Sequence, residues 1–186
     1  MMRIITGKAR GVRLATLEGE QTRPTSERAK EAVFSMLQFE IAGTQVLDLF
    51  AGSGQMGLEA LSRGAESVMF IDSAREAIEV VKENARATGF FDRSRFLVSD
   101  YRNYIRKASG KESFDLVFID PPYAMQCCSE AARRLISAGL LRAGALIVLE
   151  SGEEKIDFSQ ISSLEVIKST HYGKKSTVNI LLYKEG

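Results

Sequence analysis

The sequence is poor in the residues that mark several common classes of protein. Its 186 residues include no tryptophan, three prolines, two cysteines and one histidine. Cys127 and Cys128 are adjacent, a spacing that cannot supply a metal site alone and rarely forms a disulfide, so we expect a reducing compartment, the cytoplasm. The histidine, His171, follows a strand-like run, and we interpret it as a polar residue of a hairpin rather than as a general base.

Long apolar runs and a strong net charge are also missing. No apolar stretch approaches the roughly 20 residues that span a bilayer, and residues 1–6 are too short and too soon polar for a signal peptide. We therefore expect no membrane partner. The net charge is only +1, but four cations and no anion lie between Met1 and Arg13, whereas residues 46–167 hold 14 basic and 18 acidic side chains. Basic ends suggest a polyanionic partner, although solvated surface cations would give the same pattern.

From residue 46 onward, strand-like apolar runs alternate with segments of helical period. Strands are predicted at 45–50, 67–71, 94–98, 114–119, 144–149, 164–170 and 176–183, and helices near 55–63, 74–88, 101–108 and 126–138. This alternation predicts a doubly wound α/β sheet of seven mostly parallel strands, with ligands at the carboxyl ends of the strands. The connection between the last two predicted strands is too short for a crossover, so these strands are predicted to form a C-terminal antiparallel hairpin.

The first part of the chain follows a different pattern and predicts a small N-terminal extension over residues 1–42, ahead of a main domain at 43–186. Residues 2–6 and 11–17 are expected to pair as a hairpin, followed by a helix that Thr25 or Ser26 would cap. The predicted apolar face of that helix consists of Ala29, Ala32, Val33, Met36 and Leu37. The extension is too small to be an independent domain.

A glycine-rich segment opens the first helix of the main domain. Residues 52–57, GSGQMG, satisfy the G-x-G-x-x-G pattern of dinucleotide sites, but Asp48 stands just ahead of them. A carboxylate repels a pyrophosphate, whereas the sulfonium and ammonium groups of S-adenosylmethionine would be attracted to it. The segment therefore favours this methyl donor and a Rossmann-like class I fold of S-adenosylmethionine-dependent methyltransferases.

Two further acids end the next two predicted strands. Asp72 is placed to accept hydrogen bonds from ribose hydroxyls, and Asp100 to meet an adenine amino group, with Tyr101 flanking the ring. Each aspartate could instead be a helix cap, and a ribose contact at Asp72 would suit either cofactor. The full set of candidate cofactor residues is Asp48, Phe50, Ala51, Gly52, Ser53, Gly54, Asp72, Ser73, Asp100 and Tyr101.

The segment Asp120-Pro121-Pro122-Tyr123 follows the fourth predicted strand and supplies the candidate catalytic residues. Two prolines stiffen the chain and leave the preceding carbonyl free to accept a hydrogen bond. The Asp120 carboxylate and the Pro121 carbonyl could hold the two hydrogens of an exocyclic base amine, while Tyr123 stacks on the base. In-line methyl transfer of this kind needs alignment and electrostatics but no metal. The alternative interpretation is a strand-ending turn with no chemical role.

These segments together resemble the bacterial RsmD family, methyltransferases of small-subunit ribosomal RNA that act on the N2 amine of guanine. The matching stretches are 3–5, 7–8, 10–11 and Leu14; 23–25 and Arg28; LDLFAGSG at 47–54 and GLEALSRGA at 57–65; DPPY at 120–123; and 172–174. The resemblance implies S-adenosylmethionine as cofactor and 16S ribosomal RNA, naked or in an assembly particle, as partner. It also implies RNA contacts, which we assign to Lys8, Arg10, Arg13, Arg23, Thr25, Arg28, His171, Lys174 and Lys175.

Two other functions stay open at this point. DPPY is shared with DNA adenine methyltransferases, so a DNA or RNA adenine-N6 methyltransferase is one alternative, although 186 residues leave little room for a separate target-recognition insertion. The other is a non-catalytic RNA-binding protein of ribosome assembly. The presence of Asp48, Gly52, Gly54 and the DPPY segment argues against that alternative.

Overall fold

Seven strands form one sheet at the centre of the protein. The computed structural model describes residues 2–17, 24–152, 154–172 and 176–185, without the side chains of 24–27 and Tyr123. The strands are β1 (Gln45–Asp48), β2 (Ser67–Asp72), β3 (Ser94–Val98), β4 (Phe114–Ile119), β5 (Leu141–Ser151), β6 (Leu164–Tyr172) and β7 (Ser176–Tyr183). The helices are α1 (Pro24–Met36), α2 (Gln55–Ser62), α3 (Arg75–Ala87), α4 (Tyr101–Ala108) and α5 (Cys128–Ser137).

The strand order is β3-β2-β1-β4-β5-β7-β6, and the first five are parallel. β7 lies antiparallel between β5 and β6, so the predicted C-terminal hairpin is confirmed. All seven predicted strands are present. β5 begins three residues earlier than predicted because Leu141 pairs with Phe114 before the register shifts.

Apolar side chains on both faces of the sheet produce two cores. One contains α1, α2 and α3 with the N-terminal segment, and the other contains α4 and α5. The face of α1 differs from the prediction, since Phe34 is fully buried whereas Met36 is 41% exposed. Residues 29, 33 and 37 are buried as predicted, and Phe34 joins them because it packs against Phe118 of β4. The two cysteines are free and buried, as expected of small apolar side chains.

The N-terminal hairpin is shorter than predicted, with one antiparallel bridge between Arg3 and Arg13. A buried carboxylate of α2 attaches it to the sheet: Glu59 accepts hydrogen bonds from the backbone N–H groups of Ile5 (2.7 Å) and Thr6 (3.1 Å). Further along the hairpin, Asn84 of α3 exchanges two hydrogen bonds with the backbone of Ala15. The extension is therefore fastened along its length to α2 and α3.

α1 begins at Pro24, so Thr25 and Ser26 lie within its first turn and not at its cap. Proline suits this position because the first N–H groups of a helix have no partner within the helix. The predicted domain boundary at residue 42/43 falls in the turn between α1 and β1. Within the described ranges, we find no helix of the length and apolar character that crossing a membrane requires.

Candidate active site

A cavity of about 540 Å³ opens at the carboxyl ends of the parallel strands. One half is formed by the loop after β1, the end of β2 and the start of α4; the other by α1, β4, β5 and β7. The predicted site residues in its lining are Asp48, Phe50, Ala51, Gly52, Ser53, Asp72, Ser73, Asp100, Tyr101, Asp120, Pro121 and Pro122. The topology thus brings the predicted cofactor and catalytic segments together, as expected for a doubly wound sheet.

Asp48 is the most enclosed acid of the cavity, with 3% of its surface exposed. Its Oδ2 accepts a hydrogen bond from the backbone N–H of Gly57, 3.0 Å away in the first turn of α2. Burial and the nearby charge of Asp72 raise the pKa of the Asp48 carboxyl to about 7, although the Gly57 N–H favours the ionised form. The cavity therefore holds a carboxylate that a cationic ligand would stabilise.

Asp72 holds the glycine loop in place. Its Oδ2 accepts from the Gly52 N–H and its Oδ1 from the Ala74 N–H, each at 2.9 Å. Gly54 lies behind the loop, outside the cavity lining, with φ of +80°. A Cβ on Gly54 would lie 2.9 Å from the Val81 side chain in α3. Glycine is therefore needed here because α3 packs closely against this position.

Asp100 and Tyr101 begin α4. The Asp100 Oδ1 accepts from the backbone N–H of Arg102 at 2.9 Å, so the alternative interpretation as a helix cap is correct, although Asp100 also lines the cavity. Tyr101 is almost fully buried, and its ring lies 5.1 Å from that of Phe50. Its hydroxyl donates to Glu130 at 2.9 Å, and burial followed by this bond raises the pKa of the phenol.

Glu130 of α5 was missed by the sequence analysis. Its carboxylate also pairs with Arg102 (2.7 Å) and Arg134 (2.7 Å), and hydrogen bonds from these guanidinium groups hold the pKa of Glu130 well below its usual range. The only local signal is the spacing of Glu130 and Arg134, four residues apart on one helix. Glu130 thus fixes the Tyr101 side of the cavity wall.

The DPPY segment forms the rim between the two halves of the cavity. Asp120 and Pro122 are exposed, Pro121 is buried, and all three line the cavity. Tyr123 begins a 3₁₀ turn, and its side chain lies outside the described residues. The predicted stacking of Tyr123 on a base therefore stays a prediction.

The other half of the cavity contains residues that the sequence analysis did not select. Its lining comes from Ala29, Lys30 and Val33 of α1, Val148 and Glu150 of β5, and Val178 of β7. Glu150 directly follows the predicted strand at 144–149, as Asp72 and Asp120 directly follow theirs, and this position was the available signal. Lys30 is 4% exposed, and its Nζ lies 3.8 Å from the carboxylate of Glu59. No local sequence pattern indicates this burial or this ion pair.

The candidate RNA-contact residues lie outside the cavity lining where the structure describes them. Lys8, Arg10, Arg13, Arg28 and His171 are exposed. Lys8 donates its backbone N–H to the carbonyl of Ser62 at the far end of α2, about 12 Å along the helix from the glycine loop. Arg23, Lys174 and Lys175, and the side chain of Thr25, lie outside the described residues.

Known proteins are similar to this chain in both sequence and fold. A family model described as conserved hypothetical protein 95 matches residues 2–181. YlbH of Bacillus subtilis is 32% identical over 185 residues, 99% of each chain. The ribosomal RNA small subunit methyltransferase D of Haemophilus influenzae is 33% identical over 155 residues, 83% of this chain and 80% of that protein.

The solved structure of yhhF from Escherichia coli has a TM-score of 0.87 and 29% sequence identity, covering 100% of this chain and 99% of that one. The strand order and this likeness identify the fold as the Rossmann-like class I fold of S-adenosylmethionine-dependent methyltransferases, as the sequence predicted.

Proposed function

Because the chain belongs to the conserved hypothetical protein 95 family, the RsmD family, we propose that it methylates the N2 amine of a guanine in small-subunit ribosomal RNA. S-adenosylmethionine is the proposed donor. The observation that carries the proposal is the single cavity that contains both the acidic, glycine-rich loop after β1 and the Asp120-Pro121-Pro122 rim. The name of the Haemophilus influenzae relative supports ribosomal RNA as the substrate class.

The residues of the cavity fit this cofactor. Asp48, Asp72 and Asp100 all line the same half, so its chemistry suits a cation and repels a pyrophosphate. In the proposed arrangement Asp48 faces the cationic methionine part, Asp72 the ribose, and Asp100 with Tyr101 the adenine. When bound, the cofactor supplies a methyl group activated by a positive sulfur. Within the described residues, no three acidic, cysteine or histidine side chains are grouped to hold a metal ion.

The rim between the two halves is where the target amine would be held. In the proposed arrangement the Asp120 carboxylate accepts a hydrogen bond from the amine. As the amine nitrogen gains the methyl group, the bond from that methyl to sulfur breaks and a neutral thioether is left, so positive charge moves to the nitrogen. The Asp120 carboxylate would stabilise this charge until the surplus proton is released. The Pro121 carbonyl would accept the second hydrogen, because it precedes a proline, which has no N–H group to donate. Both contacts orient the nitrogen lone pair, so most of the acceleration comes from alignment and electrostatics.

The exposed cations of the hairpin support RNA as the partner. Lys8, Arg10 and Arg13 lie on a segment that α2 and α3 hold rigidly, and phosphate contacts of this kind position a nucleic acid without reading its sequence. These three residues are outside the cavity lining, whereas Met2 and Leu17 of the same segment line it, which suits a folded RNA that extends beyond one nucleotide. Arg28 precedes the cavity-lining Ala29 on α1, and His171 pairs with Thr177, the residue before the cavity-lining Val178.

The test is to map modified nucleosides by mass spectrometry in ribosomal RNA from cells that lack this protein. We expect the loss of one N2-methylguanine from small-subunit RNA and its return when the purified protein and S-adenosylmethionine are added to that RNA. Loss of N6-methyladenine from DNA or RNA would favour the adenine methyltransferase instead. An unchanged set of nucleosides would favour the non-catalytic RNA-binding protein.

A further inference from the structure

We infer that Glu150 recognises the target base as guanine, by accepting a hydrogen bond from its N1–H beside the amine that Asp120 holds. This inference rests on the proposed function and adds a specificity-determining residue to the same cavity. It begins with the register of two neighbouring strands. Phe118 pairs with Val148 and Ile119 with Leu149, so the next residues, Asp120 and Glu150, follow at one level.

Strand geometry brings the two acidic residues to neighbouring positions at the end of the sheet. Adjacent strands lie about 5 Å apart, and side chains two residues apart on a strand share a face of the sheet. Glu150 therefore shares the face of Val148, and Asp120 directly follows β4, two residues after Phe118; Phe118 and Val148 both belong to the core under α1. All four residues line the cavity, so the two acids border one compartment with an apolar floor.

The rest of this compartment suits a flat, largely apolar ring. Val148 and Val178 lie on the sheet side, and Ala29 and Val33 of α1 lie on the opposite side. On the register of β5 with β7, Glu150 pairs with Val178, and the Ser176 hydroxyl donates to the Glu150 Oε1 at 2.7 Å. Glu150 is thus held at the edge of the compartment, next to the strand that continues its floor.

The hydrogen-bonding groups of guanine and adenine differ at the positions that the two acids would face. In guanine the N2 amine and N1–H are adjacent donors, and two adjacent carboxylates match them. If Asp120 held the N6 amine of adenine instead, the neighbouring N1 would present a lone pair to the Glu150 carboxylate. A carboxylate has about four acceptor sites, so it can accept a base donor while it keeps a protein partner such as Ser176. The paired acids therefore favour guanine.

The test uses an RNA substrate with either guanine or 2-aminopurine at the methylated position. 2-Aminopurine keeps the N2 amine but has a lone pair at N1 in place of the N1–H. We expect the wild-type protein to methylate guanine with a kcat/KM at least about tenfold higher, because a charge-assisted hydrogen bond is lost with 2-aminopurine. A wild-type protein that methylates both equally well would overturn the inference.

The deciding variant is Glu150→Gln, which can donate an amide N–H to the N1 of 2-aminopurine while its oxygen keeps the bond from Ser176. We expect kcat/KM for guanine to fall, that for 2-aminopurine to be kept or to rise, and the ratio to shrink by about tenfold or more. Glu165→Gln makes the same change on exposed β6, where Glu165 pairs with Lys184, and should leave the ratio unchanged.

Two measurements separate the possible failures. Cofactor binding by calorimetry should be unchanged in Glu150→Gln, which shows that the variant is folded and that its effect lies on the base. If the wild-type protein methylates no guanine in this RNA, the proposed function fails. If it does so and Glu150→Gln keeps the wild-type ratio of kcat/KM for guanine to that for 2-aminopurine, only the role of Glu150 is wrong.

A second variant covers the case in which Glu150→Gln does not fold. Ser176→Ala removes the hydroxyl that holds Glu150, so it must reduce the same ratio for the inference to stand.

Discussion

At the scale of single residues, Asp48 combines its proposed role in cofactor binding with a cost in stability. Its carboxyl is buried beside Asp72 and has a pKa of about 7, against 3.8 for an ordinary aspartate. Because the folded pKa is the higher one, the stability that Asp48 contributes is fully present below about pH 4 and is lost as the pH rises through 7. Above that pH the ligand-free protein carries an ionised, buried acid, which a cationic ligand would then neutralise.

Asp48→Asn should therefore stabilise the ligand-free protein in a way that depends on pH. We expect its Tm to exceed that of the wild type by at least about 3 °C at pH 8, with the difference narrowing toward pH 5. Thermal melts across this range measure it, with the exposed Asp92→Asn as the matched control. The same variant should bind S-adenosylmethionine more weakly at pH 8. A Tm difference that does not change with pH would show that Asp48 does not titrate as described.

Asp120 is expected to act on the target base and not on the cofactor. Asp120→Ala should lower the methylation rate by about 10²-fold or more, because the amine loses an oriented acceptor at the reacting atom. Its affinity for S-adenosylmethionine, measured by calorimetry, should stay within a few-fold of the wild type. Loss of cofactor binding would instead assign Asp120 to the other half of the cavity.

At the scale of secondary-structure elements, the contact between the N-terminal hairpin and α2 is very close. Gly7 and Gly11 both have positive φ, +88° and +85°. A Cβ on Gly7 would lie 2.0 Å from the carbonyl oxygen of Ser62, whereas a Cβ on Gly11 would meet nothing within 4 Å. The two positions share the backbone penalty of a non-glycine residue, so any difference between them reports the contact with α2.

Gly7→Ala should therefore lower the free energy of unfolding by about 1–3 kcal/mol more than Gly11→Ala does. Urea denaturation of the two variants measures this difference. Both should lose about 1 kcal/mol from the positive φ alone. Equal losses would mean that the hairpin turn is free to move away from α2, and the rigid presentation of Lys8 and Arg10 would lose its support.

The sequence predicted those elements whose signals are local. The apolar run FDLVFI is typical of a central parallel strand, and it forms β4. Glu59 is a residue whose burial could not be predicted from the local sequence. It stands in a short amphipathic helix, where an acid is normally solvated, yet it is fully buried because its partners Ile5 and Thr6 come from more than 50 residues away. Glu150 was missed for a similar reason, since its position beside Asp120 depends on strand register.

At the scale of the whole molecule, charge is separated between two regions. The cavity lining includes the carboxylates of Asp48, Asp72, Asp100, Asp120 and Glu150. The exposed cations Lys8, Arg10 and Arg13 lie instead on the N-terminal hairpin, outside the cavity lining. An acidic cavity repels phosphates and favours a cation, so under the proposed function the backbone of a bound RNA would be held by the surface around the cavity while one base enters it. Affinity for RNA and affinity for the cofactor should therefore be separable.

Reversing the charges of Lys8, Arg10 and Arg13 to glutamate should weaken RNA binding without changing S-adenosylmethionine affinity. Each lost phosphate contact removes about 0.7–0.9 from the slope of log K against log salt, so three contacts remove about 2–3. Filter binding at several salt concentrations measures the slope. The matched control reverses Arg106, Lys107 and Lys111, which are exposed near the end of α4, a helix that starts at the cavity and runs toward the other edge of the sheet. A slope that falls equally in both triple variants would mean that RNA responds only to net charge, and the hairpin would not be part of the interface.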